Sequence, residues 1–314
     1  MTSPGDSPRV AVLGLGPIGQ VHARVMHSLG AELAAVLTSG RKSAETAAAW
    51  VAETLGLAVT PCWSTDQLFD LPLDAVVIST PPSLHLSQIL QAFDHRLPVL
   101  CEKPLLWEPH YTVDDVLQGL DAIQRHPHRS LFVNTSNTVL LEAVRDRLPP
   151  LDQIERFHFA FHTQGRYRGV GIAEDLLPHA LSLLLLLFGE EPIHELRWQN
   201  GSHEFGCSFK YGARDVELDF REHESGPKAL EFAVNDLRFE RIQEGQGSTY
   251  RVFLRDTRTG ERIAAKDPFV VYASSFLEFC RSAPESRHED DFVAAASNAR
   301  LMAQVIETVR GASR

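Results

Sequence analysis

Residues 9–26 read RVAVLGLGPIGQVHARVM. Arg9 to Leu13 form a short apolar run with β-branched valines, the mark of a buried strand. Gly14-Leu15-Gly16-Pro17-Ile18-Gly19 follows as a full GxGxxG. Ile18, Val21, His22, Val25 and Met26 then recur at helical spacing. Strand, glycine turn and helix together are the context in which this motif binds a dinucleotide rather than merely turning the chain. Gly14 allows the tight turn, Gly16 lets backbone approach a pyrophosphate, and Gly19 lets helix pack on strand. Pro17 and Ile18 open the helix, whose free N–H groups and positive dipole end face the phosphates.

The following segments alternate. Strands are expected at 31–37, 58–61, 74–80, 98–102 and 131–134, and helices at 43–55, 66–69, 83–95 and 111–124. Such βαβ alternation predicts a parallel sheet covered on both faces. Beyond residue 150 the pattern changes. Ile154 to His162 alternates as a half-buried strand does. One helix comes next, then strand-like runs at 193–198, 204–211, 216–222, 229–234, 237–242 and 250–255, then helices at 272–280 and 290–309. The chain is therefore α/β, an N-terminal dinucleotide-binding Rossmann domain at 1–125. A C-terminal α+β domain follows at 126–314, with a large, mostly antiparallel, open-faced sheet. The second domain is assigned to substrate binding and oligomerisation, with its C-terminal helix packing back on the first.

Composition narrows the partners. The formal net charge is −11 and no basic stripe is present, which disfavours nucleic acid. Residues 1–8 read as a frayed polar tail without a signal-peptide pattern. The longest apolar run, Leu181 and Leu183 to Phe188, is too short to cross a bilayer. Four widely spaced cysteines show no zinc or disulfide pattern. A cytoplasmic protein with a small-molecule substrate and no membrane partner is expected.

Cofactor choice is read at the end of the second strand. NAD binders place a carboxylate there to grip the adenosine ribose. Here the chain runs Val36-Leu37-Thr38-Ser39-Gly40-Arg41-Lys42, with no carboxylate. Ser39 and Arg41, with Thr38 and Lys42 nearby, suit a 2′-phosphate, so NADP is expected over NAD. The alternative is that Arg41 and Lys42 merely open the next helix. Two further motifs follow buried strands. In Thr80-Pro81-Pro82-Ser83-Leu84-His85, Thr80 and Pro81 should line the cofactor, and His85 either touches it or caps the following helix. In Cys101-Glu102-Lys103-Pro104-Leu105, Pro104 keeps Lys103 from helical geometry. A lysine so placed can exchange the proton that accompanies hydride transfer; read alone, it reads sooner as a surface lysine.

GLGPIG, STPPSLH and CEKPL, in this order and spacing, resemble the Gfo/Idh/MocA family of glucose–fructose oxidoreductase and inositol dehydrogenase-like enzymes. The resemblance implies that Glu102 and Lys103 belong to the nicotinamide site, that Lys103 is catalytic, and that the peptide into Pro104 is often cis. It also implies an Asp-x-Gly-x-His-x-x-Asp pattern on a helix of the second domain. Asp175 and His179 match, four residues apart and so on one helical face. Without the resemblance, His179 reads as a core histidine. Pro178 is expected within the first turn, with the helix starting near Asp175. The pattern's glycine is replaced by Leu177 and its second aspartate by Ser182. These departures leave the redox residues in place and bear on a sugar or polyol substrate. Asn134 to Asn137 lack the Arg and aromatic residues often found in sugar-acting members. Gly165 to Gly171 reads as a loop over the pocket, where Arg166 or Arg168 would meet an anionic substrate, or as a solvated loop.

The expected activity is NADP-dependent hydride transfer to or from a carbonyl or secondary alcohol, with the nicotinamide between Lys103 and the Asp175/His179 helix. An imine reductase and a non-catalytic NADP-binding regulator are the alternatives. Family relatives pair through the second-domain sheet, so a homodimer or homotetramer is expected.

Overall fold

A computed structural model describes residues 7–245, 250–282 and 291–312. Most of the polar N-terminal tail and the expected first residue of the last helix, Asp290, lie outside these. The chain divides into two units, one made of 1–134 and 269–296 and the other of 135–268 and 297–314.

The first unit holds β1 (Arg9–Leu13), α1 (Pro17–Ser28), β2 (Glu32–Leu37), α2 (Arg41–Leu55), β3 (Thr60–Cys62), α3 (Thr65–Phe69) and β4 (Ala75–Ile78). It continues with α4 (His85–Asp94), β5 (Val99–Glu102), α5 (Val113–Arg125) and β6 (Leu131–Asn134). The strands form one parallel sheet in the order β3-β2-β1-β4-β5-β6. Strand order reverses between β1 and β4, so the glycine turn and the segment after β4 flank the point where such sheets bind ligands. Both faces are covered, which is why Val10, Val12, Val76, Val77 and Leu100 are all fully buried.

Three expectations change here. The boundary falls after Asn134 rather than Arg125, because β6 pairs with β5. The α2 helix begins at Arg41, so Arg41 and Lys42 are its first turn. The segment of the chain that returns to the first unit, 269–296, is the penultimate helix, α8 below, together with only the start of the last helix.

The second unit begins with α6 (Thr138–Glu142) and β7 (Arg156–Gln164), followed by α7 (Val170–Phe188). Then come β8 (Ile193–Asn200), β9 (Glu204–Tyr211), β10 (Arg214–His223), β11 (Ala229–Val234), β12 (Leu237–Glu244), β13 (Arg251–Asp256) and β14 (Arg262–Ala265). The chain ends with α8 (Pro268–Arg281) and α9 (Phe292–Gly311). The sheet order is β14-β13-β12-β11-β7-β10-β9-β8, antiparallel except where β7 meets β10. Period-2 alternation gives it one apolar face. Phe157, Phe159, Phe205, Phe220, Phe232 and Phe239 are buried there, and α7 packs on β9 and β10. The other face carries polar side chains such as His158, Lys210, Glu217 and Arg238.

The α7 helix starts five residues before Asp175 and runs 19 residues with Pro178 inside it. Its length therefore exceeds that of the leucine run alone. Among the described residues it is the one helix long and apolar enough to cross a membrane, but most of it is buried.

Candidate functional site

In the first unit the glycines act by geometry. Gly14 has φ of +83°, and a Cβ there would lie 2.8 Å from Ser79 O. A Cβ on Gly19 would lie 2.0 Å from Gly14 O, so only glycine lets α1 seat against the turn. At Gly16 a Cβ would meet nothing within 4 Å: the space above it is open. Gly16 is also the N-cap of α1 and supplies no side-chain acceptor, while Pro17 at the first helical position has no N–H to satisfy. The turn thus offers backbone N–H groups, the helix dipole and room, which fits a dinucleotide's pyrophosphate. Ser79, at the end of β4, donates from Oγ to Gly14 O at 2.7 Å and fixes the turn from behind.

At the end of β2 the Thr38 and Ser43 hydroxyls meet at 2.7 Å, and Ser43 also donates to Gly40 O. Arg41 lies with its guanidinium carbon 4.5 Å from the centre of the Trp63 ring. Among the described residues no carboxylate pairs with Arg41 or Lys42. The stacked guanidinium keeps its N–H fork for an acceptor oxygen.

The segments after β4 and β5 are joined by His85. It is fully buried, with Nε2 2.8 Å from Thr80 O and Nδ1 3.0 Å from Pro104 O. Burial pushes its pKa down, against the pull of the two carbonyls and of Glu102. Both roles expected of His85 are therefore corrected. The ring faces two backbone carbonyls rather than outward, and it makes no cap to α4. Thr80 donates from Oγ1 to Gln88 Oε1 at 2.6 Å, and Pro81 is exposed.

Glu102 closes β5. Its Oε1 lies 2.6 Å from His22 Nε2 on α1 and accepts from Asn134 Nδ2 at 2.6 Å. Burial works to raise the carboxyl pKa, but the His22 and Asn134 bonds and the Lys103 charge outweigh it, and the group is held below its ordinary value. Lys103 follows, half-buried, and the Lys103–Pro104 peptide is cis. The residues expected at the cofactor thus converge on the carboxyl edge of β1, β2, β4 and β5. Several that hold them there were not expected: His22, Ser79, Trp63 and Asn134. His22 carried one signal, a polar residue on the otherwise apolar face of α1.

In the second unit, Asp175 and His179 lie on α7 one turn apart. Asp175 is well inside the helix rather than beside its N-cap, because the helix begins at Val170. Pro178 is accommodated in the interior, where its carbonyl accepts from buried Asn298 Nδ2 at 2.9 Å. His179 is almost fully buried and stands edge-on to Phe161, ring centres 5.1 Å apart at 81°. Ser182 donates to His179 O at 2.9 Å, and Leu177 is buried. Arg168 faces Glu224 at 3.8 Å, and Arg166 is exposed.

Residues 8–135 match the GFO_IDH_MocA family, described as an oxidoreductase family with an NAD-binding Rossmann fold. The inositol 2-dehydrogenase of Cereibacter sphaeroides strain ATCC 17023 is 31% identical over 191 residues, covering 58% of this chain and 54% of that protein. Over residues 8–135 the chain is thus similar to the Gfo/Idh/MocA oxidoreductases. It spans about half the length of the curated relative it matches. Two solved structures share the fold. UDP-N-acetylglucosamine 3-dehydrogenase GnnA from Acidithiobacillus ferrooxidans has a TM-score of 0.71 at 19% identity, covering 96% of this chain and 97% of that one. Myo-inositol 2-dehydrogenase from Lactobacillus plantarum has a TM-score of 0.72 at 17% identity, with 98% of each chain covered. The family match ends at the first unit, so Leu177 and Ser182 lie beyond it.

Proposed function

We propose that the chain is an NADP-dependent oxidoreductase acting on a secondary alcohol or carbonyl of a small sugar- or polyol-like substrate. The observation that carries this reading is the linkage of the glycine helix to the EKP segment through His22 and Glu102. It ties Lys103 to the same sheet edge as the phosphate-binding turn. NADP, when bound, supplies the hydride acceptor or donor at its nicotinamide.

The chain's own residues do the rest. Gly16 and the first turn of α1 hold the pyrophosphate, while Thr80 and Pro81 line the cofactor. Arg41, braced by Trp63, takes the 2′-phosphate with Thr38, Ser39 and Lys42 around it. Lys103 Nζ and the His179 imidazole handle the substrate's hydroxyl proton, and Asp175 orients His179 or binds a neighbouring hydroxyl. General acid–base help of this kind contributes about 10²–10⁴-fold in rate. Relatives named for oxidising an inositol and a UDP-N-acetylglucosamine support a ring alcohol as the reacting group.

Buried Leu177 and the inward hydrogen bond of Ser182 favour a second reading, an imine substrate needing fewer polar contacts. A screen of NADPH oxidation against ketones, sugars and imines separates the two. Lys103→Ala should lower the rate on the active substrate by at least about a hundredfold; turnover at the wild-type rate would remove Lys103 from the mechanism. The polar face of the second sheet is proposed to pair subunits into a homodimer or homotetramer, and a light-scattering mass of one chain would refute that.

A further inference from the structure

Phe239 and Arg241 are two apart on β12 and so share a face of the sheet. Phe239 is fully buried and packs against Phe232 with ring centres 5.4 Å apart, which places Arg241 on the apolar, helix-covered side. Its backbone neighbour there is Leu254. The Arg241 side chain reaches across β11, and its guanidinium carbon lies 5.5 Å from the centre of the Phe161 ring on β7. Phe161 is the ring that stands edge-on to His179.

A half-buried cation on an apolar sheet face is costly unless an anion answers it. Among the described residues no carboxylate pairs with Arg241. Tyr250 is nearby, but its hydroxyl is engaged by Gln243. Burial presses the guanidinium's pKa downward, yet arginine remains charged. The Phe161 face offsets part of the cost and leaves the N–H fork for another group. Arg168, by contrast, already faces Glu224.

We infer that Arg241 anchors an anionic substituent, a carboxylate or a phosphate, of the substrate whose reacting hydroxyl or carbonyl lies at His179. This rests on His179 being a site residue. From guanidinium to Phe161 is 5.5 Å and from Phe161 to His179 is 5.1 Å, so the two groups lie within about 11 Å. With a hydrogen bond of about 2.8 Å at each end and the groups in line, roughly 5 Å separates the two ligand oxygens. A short hydroxy acid, a sugar acid or a monosaccharide phosphate spans that distance. Arginine's planar fork suits either anion by two parallel N–H···O bonds.

The test is calorimetric binding in the presence of NADP, with D-glucuronate, D-glucose 6-phosphate and D-glucose as probes. The wild type should bind at least one anionic probe about tenfold or more tighter than glucose. Arg241→Gln should abolish that preference while leaving the NADP Kd and the thermal midpoint unchanged. Arg241→Lys should keep part of it, and serves alone if the glutamine variant does not fold. Which anionic probe binds distinguishes carboxylate from phosphate. The inference is overturned if the folded wild type binds neither anion, if glucose binds as tightly, or if both variants retain the full preference. Turnover is read separately: a probe that binds through Arg241 but never consumes NADPH or reduces NADP faults the redox reading and leaves the anion anchor standing.

Discussion

Replacing Glu102 by glutamine keeps the shape of the side chain and an acceptor oxygen for both His22 Nε2 and Asn134 Nδ2, each now 2.6 Å away. Only the charge is lost. A hydrogen bond to a charged group contributes about 1.5–3 kcal/mol and a neutral one about 0.5–1.5, so two such bonds should weaken by roughly 2 kcal/mol together. For a unit of this size that corresponds to a thermal midpoint lowered by about 4–8 °C. The effect must depend on pH in one direction. The Glu102 carboxyl is held below its ordinary value in the folded protein. Its charge therefore stabilises fully above the unfolded value of about 4.3 and is lost as pH falls through the lower, folded value. Calorimetry of wild type and Glu102→Gln should show the full gap near pH 7 and a gap that closes toward pH 3. An equal gap at both pH values would mean that the carboxylate charge contributes nothing to the His22–Asn134 linkage, and the reasoning would fail.

Other perturbations follow from the same edge of the sheet. Gly19→Ala forces a Cβ to within 2.0 Å of backbone and should open the turn, lowering both the thermal midpoint and NADPH affinity measured by fluorescence titration. Gly16→Ala, whose Cβ meets open space, should leave the midpoint alone and weaken only NADPH binding; a lowered midpoint would show the space above Gly16 to be filled. Arg41→Ala should raise the NADPH Kd by about 10–100-fold, the worth of a charged hydrogen bond of about 1.5–3 kcal/mol, with NADH affinity unchanged. The depressed pKa of His85 means that the unfolded chain binds its proton first, so wild-type stability should drop as pH falls below about 6.5. His85→Gln should flatten that slope, as read in urea melts at pH 7 and pH 5.5.

The parallel sheet was legible because β1, β4, β5 and β6 are short apolar runs bounded by Gly, Pro and polar residues. That pattern follows from burial on both faces. The alternating strands of the second sheet were legible for the opposite reason, one wet face and one dry. What escaped is non-local or marginal. The β14 strand, Arg262–Ala265, is four residues at a sheet edge with no core-forming run. The start of α7 was hidden by Pro178, which local rules place in a first turn but which tertiary contacts tolerate mid-helix. The turn glycines and Lys103 announce themselves by motif. His22 and Asn134 meet Glu102 across 80 and 32 residues of sequence, and no local pattern links them. Trp63 under Arg41 was out of reach for the same reason. Arg241 reads as one more charge on an alternating strand until its register against Phe239 shows which way it points.

Helix α8 carries a consequence for how the chain is made. Ala273, Phe276, Leu277 and Phe279 share a hydrophobic core with Val10, Val12, Val36 and Val77. The first strand and the last wall of that core are separated by the whole of the second sheet. During synthesis the strands of the nucleotide-binding unit leave the ribosome before the second sheet, yet the unit remains unfinished, its apolar flank uncovered, until α8 has emerged. A nascent chain stalled at residue 134 should therefore be protease-sensitive and held by chaperones. One stalled with residue 296 just clear of the exit tunnel should be the earliest to bind NADPH.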